Sequence, residues 1–200
     1  IDLRFINLDN FYKKKDQFTE TEIANYIQNN SNDLQRDFID FDYIKITPKN
    51  LIGADEYNET FFSEIDNIEN NISNFSDLKS LLNNYENINI EKKINYTLIN
   101  NDDPFKEIYD NRFDSGIQLM DKNDYILLFQ VKNIENKIPE KTDESFRNFV
   151  LTSLVEKEKF DYNKKIFEKI NTNKFSDADF ENISSDKSLF KNIELNSVKD

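Results

Sequence analysis

The side chains this sequence offers for chemistry are carboxylates, lysines, tyrosines and serines. It contains no His and no Cys, and its two glycines are Gly53 and Gly116. Those absences exclude a Ser-His-Asp triad, a cysteine nucleophile, a His-bound zinc and a disulfide. They also leave no Gly-rich loop to cradle a phosphate. No spacing singles out a catalytic pair among the 39 Asp and Glu residues, which read as solvated helix faces. Asp121-Lys122-Asn123-Asp124 has acids like a calcium loop but lacks the Gly and terminal Glu such loops need, so it reads as a hairpin turn. No metal and no cofactor are expected. A net charge of -13, with Lys13-Lys14-Lys15 as the only basic cluster, argues against general affinity for nucleic acid. Four Asn-X-Ser/Thr triplets, at Asn71, Asn74, Asn95 and Asn182, are expected by chance in an Asn-rich chain.

The elements that must position these groups follow from periodicity. The chain has 200 residues, 37% of them hydrophobic, and its Ile, Leu and Phe residues recur regularly, so it is expected to fold. It starts at Ile1, which suggests a fragment or a processed chain, and no signal peptide or membrane span is read within it. The organising stretch runs from Asp121 to Ile170. Tyr125 to Val131 is the most apolar run and has the length of a strand buried on both faces. Lys132 to Lys141 carries Pro139 and reads as a polar connection. Thr142 reads as the N-cap of a long helix, with one stripe of Phe146, Phe149, Val150 and Leu154 beside another of Leu151, Val155, Tyr162, Ile166 and Ile170.

Upstream, Asp2 to Leu8 alternates and reads as a strand or extended arm. Thr19 and Glu22 make a capping box for a helix ending near Asn30. Phe38 to Ile46 is a strand stopped before Pro48. Tyr57, Phe61, Ile65, Ile68 and Ile72 mark a helix, and Asn74 caps the next, whose apolar face is Phe75, Leu78, Leu81, Leu82 and Tyr85. Ile94, Tyr96 and Leu98 mark a strand. Pro104 starts a short helix with Phe105, Ile108 and Tyr109, broken at Gly116. Ile117 to Met120 begins a hairpin that returns through Tyr125. Phe175-Ser176-Asp177 repeats Phe75-Ser76-Asp77, either as a chance echo or as a repeated structural unit.

From Phe38 to Val131 the order is strand, helix, helix, strand, short helix, strand, strand. This order resembles the parvulin-type peptidyl-prolyl cis-trans isomerase fold. Thr19 to Tyr26 is similar to the helix preceding parvulin domains in PpiD- and SurA-like periplasmic folding factors. Phe41 to Ile46 is similar to the first parvulin strand; Tyr125 to Val131, Pro139 and the helix from Thr142 resemble the last strand and the exit helix. The resemblance implies an α+β fold, a small antiparallel sheet with surrounding helices followed by a long helix. Its segments would be an arm and helix (1–37), a parvulin-like domain (38–134), the exit helix (135–172) and the start of a further unit, possible to read as truncated (173–200).

Active parvulins carry a His on the first strand, where Tyr43 stands, and another on the last, where Ile126 or Leu127 stands. The Gly-rich segment after the second helix is absent. The resemblance therefore implies a degenerate, non-catalytic domain: the chaperone part of a periplasmic foldase, with unfolded or nascent exported polypeptides as partners and a membrane anchor allowed elsewhere in the parent chain. Candidate client-binding aromatics are Phe5 and Phe11 of the arm, and Phe160, Tyr162 and Phe167 of the long helix, which are expected to point in different directions. The competing readings are packing of these rings between lobes, a homodimerising structural module, and a weakly active isomerase using Tyr43.

Overall fold

A computed structural model describes residues 2–194; Ile1 and the end of the last expected segment, 195–200, lie outside the described residues. The fold is α+β, with small antiparallel sheets, surrounding helices and one long helix near the carboxyl end. The chain forms two compact units, 34–139 and a second made of 1–33 together with 140–200. The amino-terminal arm and the long helix thus belong to one unit.

In that unit β1 (Asp2–Ile6) leads through two 3-10 turns to α1 (Glu20–Asn29) and α2 (Ser31–Leu34), which runs to the unit boundary. The capping box at Thr19 forms as expected: Thr19 Oγ1 accepts from the Glu22 amide, and Glu22 accepts from the Thr19 amide at 2.8 Å. The Lys13 ammonium, followed by the Thr19 amide and the Thr19 hydroxyl, holds the Glu22 carboxyl down at about 2.

The 140–200 stretch contributes the long helix, which runs Glu144–Asn171. Its cap is Asp143, not Thr142: Asp143 Oδ1 accepts from the Phe146 amide at 2.8 Å. Phe146, Val150 and Leu154 bury one stripe, and Arg147 reaches Glu20 on α1. After Leu154 the helix buries no residue fully. A short helix (Asp177–Asn182) and a strand (Phe190–Glu194) follow, and the strand pairs antiparallel with β1, setting Leu3 opposite Ile193. One face of this ribbon is packed: Arg4 lies 4.8 Å over Phe180, which meets Phe190 at 5.0 Å.

The other unit is built on β2 (Arg36–Ile46). Then come α3 (Pro48–Ile52), α4 (Glu59–Asn71), α5 (Leu78–Leu81), β3 (Glu91–Tyr96), α6 (Lys106–Asp110), β4 (Gln118–Lys122) and β5 (Tyr125–Lys137). The three later elements of the first unit are accordingly α7 (Glu144–Asn171), α8 (Asp177–Asn182) and β6 (Phe190–Glu194). Strand order is β3-β2-β5-β4, all antiparallel. Alternation along the central pair sorts the core onto two faces. Ile44, Ile46, Ile126 and Leu128 pack with Leu51, Phe61, Ile65, Ile68, Leu78 and Leu81 from α3, α4 and α5. Ile39, Phe41, Tyr43, Leu127 and Phe129 pack with Ile108 of α6.

Several expectations are corrected by the pairing. Lys132 to Lys137 is strand rather than connection, because Arg36 to Asp40 supply its ladder partners; a partner strand overrides weak local preference. Asn74 closes a 3-10 turn, and Asp77 caps α5 by accepting from Ser80. Ser176, by contrast, caps α8. The two Phe-Ser-Asp copies therefore build their caps from different residues and do not repeat one local structure. On β3, Ile94 is 76% exposed, because Asn95 takes a left-handed φ of 55° and shifts the alternation so that Tyr96 turns inward. Of the expected stripes on α7, Phe149 and Ile170 are exposed. Among the described residues no helix is long and apolar enough to cross a membrane.

The cap assignment is testable. Replacing Asp143 by Ala should cost about 1 kcal/mol, whereas Thr142→Ala should cost close to none. Denaturant unfolding followed by helical circular dichroism measures both; equal losses would contradict the assignment.

Candidate functional site

The strand register decides where the sequence candidates Tyr43, Ile126 and Leu127 stand. Tyr43 lies opposite Phe129 on β5 and opposite Glu91 on β3. Leu127 sits opposite Lys45, two residues along from that pairing, and so shares Tyr43's face. Ile126 faces the other way, into the core under α3, α4 and α5. Of the two sequence candidates for the last-strand position, only Leu127 belongs to a site with Tyr43.

That face is filled by rings. Phe41, Tyr43 and Phe105 have centroids 5.0 to 5.7 Å apart. Tyr96 meets Phe41 at 5.6 Å and Phe105 at 5.7 Å, and Tyr109 joins at 6.2 Å from Tyr96. Most of these contacts are edge-to-face, an arrangement favoured by the ring quadrupoles. Phe105 and Tyr109 were readable as the apolar face of the short helix, and Tyr96 as a strand residue. Their convergence was not, because it depends on β3 and α6 meeting over β2. Glu91 had no sequence signal at all.

Of the phenols on this face, those of Tyr43 and Tyr109 donate hydrogen bonds, while the buried Tyr96 hydroxyl has no hydrogen-bond partner among the described residues. The Tyr43 hydroxyl donates to Glu91 Oε2 at 2.5 Å. Burial first, and then the adjacent Glu91 carboxylate, push this phenol up to about 12. The Tyr96 hydroxyl is enclosed, and burial followed by the Asp103 carboxylate raises it further above the ordinary range. Phenols held this firmly in the neutral form are poor general bases. Beside the cluster, a cleft of about 350 Å³ is lined by Asn101, Asp102, Asp103, Pro104, Tyr125 and Leu127 together with three charged residues. Those three are engaged: Lys106 pairs with Asp110, and Lys122 pairs with Glu107.

Carboxylates elsewhere do structural work. Among the described residues every carboxyl whose pKa is displaced is displaced downward: Glu20 by Arg147, Asp37 by the Asn136 side-chain amide and then Arg112, Asp77 by the Ser80 amide, and Asp186 by the Ser188 hydroxyl and amide. A general acid at neutral pH needs the opposite displacement. Among the described residues no group of three acids is placed to hold a metal.

The candidate client-binding aromatics are divided. Phe5 lies on β1 and is exposed; Phe11 is half-buried after the first 3-10 turn. Tyr162 meets Tyr12 edge-on at 5.6 Å, and the Tyr12 hydroxyl donates to Asn163 at 2.9 Å. Phe160 and Phe167 are 66% and 62% exposed. Contrary to expectation these two do not diverge: an i, i+7 spacing puts them on one line of α7, with Ile170 beside it, while Tyr162 is on another face. The cleft of about 390 Å³ between α1 and α7 is lined by Asn25, Asn29, Asn30 and charged residues as well as Phe18, Tyr26 and Leu154.

Compared with known proteins, the chain matches no protein-family profile, no curated protein and no solved structure.

The phenol assignments give a pH prediction. A raised phenol favours the folded state while protonated, so its contribution is whole below about pH 10 and is lost as pH rises toward about 12, where Tyr43 and Tyr85 ionise. Ultraviolet titration of the nine tyrosines should show a late group, and Glu91→Gln should move Tyr43 back toward 10 without restoring it fully, since burial remains. An unchanged titration curve would contradict the Tyr43–Glu91 contact.

Proposed function

We propose that the chain is a non-catalytic, parvulin-like folding factor that holds apolar segments of unfolded polypeptides. The observation that carries this reading is the distal half of α7, where Phe160, Phe167 and Ile170 lie exposed on adjoining lines with no described core beneath them. An aromatic line of this kind on a soluble surface is what a client-binding surface requires. The strand order and the short helix over the sheet agree with the parvulin-type resemblance. The apolar face supports the loss of catalysis: Tyr43 and Leu127 occupy the positions where that resemblance puts histidines, and rings pack directly over Tyr43. On this reading the clients are exported proteins and the compartment is the periplasm, both of which follow from the resemblance alone.

A second reading, a dimerising structural module, draws on the β1–β6 ribbon. Its unpacked face carries Leu3, Phe5 and Ile193, all exposed. A two-stranded ribbon is marginal alone, and a second copy would cover that face.

Two measurements separate these readings. The first is the refolding of a reporter protein whose slow step is prolyl isomerisation. Holding predicts retardation in proportion to the chain added, with most of the effect lost in the Phe160→Ser, Phe167→Ser double variant; acceleration would contradict the non-catalytic assignment. The second is sedimentation across a concentration series. Holding predicts a monomer at client-binding concentrations, whereas a dimer that dissociates on Leu3→Ser and Ile193→Ser would establish the second reading.

A further inference from the structure

On another face of the same half of α7 lies a groove of about 300 Å³. Tyr162 and Ile166, one turn apart on α7, form one wall, and Phe175 and Ile183 form the other. All four are half-buried, so the lining is apolar and already partly desolvated. The volume is at the small end for ligand pockets and suits one large side chain rather than a cofactor. The walls are fixed from several sides. Tyr12 holds Tyr162 edge-on, and the Ser176–Asp179 capping box sets the start of α8. Lys169 bridges α7 to Asp179 at 2.9 Å.

The charges at the mouth are unequal. Asp179 is committed to Lys169 and to the Ser176 amide and hydroxyl, which keep its carboxyl far below the ordinary range. Asp161, one turn before Lys165, is engaged by Lys157 at 2.6 Å. Lys165 lines the groove and makes no ion pair within 4 Å among the described residues, its charge acting on Asp161 only from beyond that distance. The mouth therefore has a cation to spare and no anion to spare. A basic residue entering here would meet Lys165, and an acidic one would complement it.

We propose that this groove takes an apolar side chain of a client segment whose neighbouring residue is Asp or Glu, with Lys165 pairing the client carboxylate. The inference rests on the holding reading and names the class of segment that is held. It runs against the charge of the whole chain, -13, which attracts basic segments over long range. A preference for acidic neighbours is thus a local signature.

Fluorescence anisotropy with the full chain tests it, using three labelled, unstructured Gly/Ser peptides that carry one central Leu-Phe flanked by Glu, by Gln or by Lys. At low salt the Glu-flanked peptide should bind about twofold to fivefold tighter than the Gln-flanked one, which is what one exposed ion pair supplies. The ratio should fall to one in Lys165→Gln, and Lys165→Glu should turn the preference toward the Lys-flanked peptide. Ile166→Ser should weaken all three. Equal affinities for the Glu- and Gln-flanked peptides, or a preference that survives in Lys165→Gln, would overturn the inference and leave the holding reading standing. Should no peptide bind while the unfolded reporter is still retained, the inference alone falls; should the reporter also go free, the holding reading falls with it.

Discussion

The antiparallel pairing of β2 with β5 is the constraint on which the 34–139 unit depends. It runs from Arg36 opposite Lys137 to Ile46 opposite Ile126, with one register shift between Asp40 and Phe41. Both strands are central, so each side chain along them is assigned to one of two cores by parity alone. A slip of one residue would send Tyr43 and Leu127 under the α3–α5 helices and bring Ile44 and Ile126 to the ring cluster. Nothing in either core would then fit: the helical side needs the compact Ile and Leu set, and the other needs Phe41 and Tyr43 against Phe105. The shift after Asp40 is itself used. The Asp40 carboxylate accepts from the Asn95 amide, anchoring the edge strand where Asn95 adopts its left-handed conformation.

What could be read from the sequence was what local chemistry encodes. The Thr19 capping box, the helical period of Phe61, Ile65 and Ile68, and the apolar run from Tyr125 all became the elements they indicated. What could not be read was set by partners distant in the chain. The polar stretch from Lys132 to Lys137 is strand because Arg36 to Asp40 lie beside it, and Glu91 meets Tyr43 because β3 takes the outer edge of β2. The choice between Ile126 and Leu127 was likewise open in sequence, since both are apolar and adjacent; only the register distinguishes them. The sequence put the cap at Thr142, and the geometry moved it to Asp143, whose carboxylate reaches the Phe146 amide.

Helix α7 divides into two halves with different environments. Its first half is held by burial of Phe146, Val150 and Leu154 and by the link from Arg147 to Glu20. Its second half buries no residue fully and is supported by short ion pairs along its own surface, such as Lys157–Asp161 and Lys159–Glu156. Exposed pairs of this kind contribute little. The distal half therefore gains more from a bound apolar segment than a fully packed helix would. On the sheet face the rings already pack against one another, and the cleft beside them is lined mainly by polar and charged residues.

The most direct test of this division is hydrogen–deuterium exchange, recorded with and without a permanently unfolded, apolar-rich polypeptide. If the distal helix is the holding surface, amides in residues 156–171 should exchange more slowly in the presence of that polypeptide, while those in residues 38–46 and 125–131 stay unchanged. Slowing confined to the two sheet strands would instead place the client over Tyr43 and Leu127 and contradict the account.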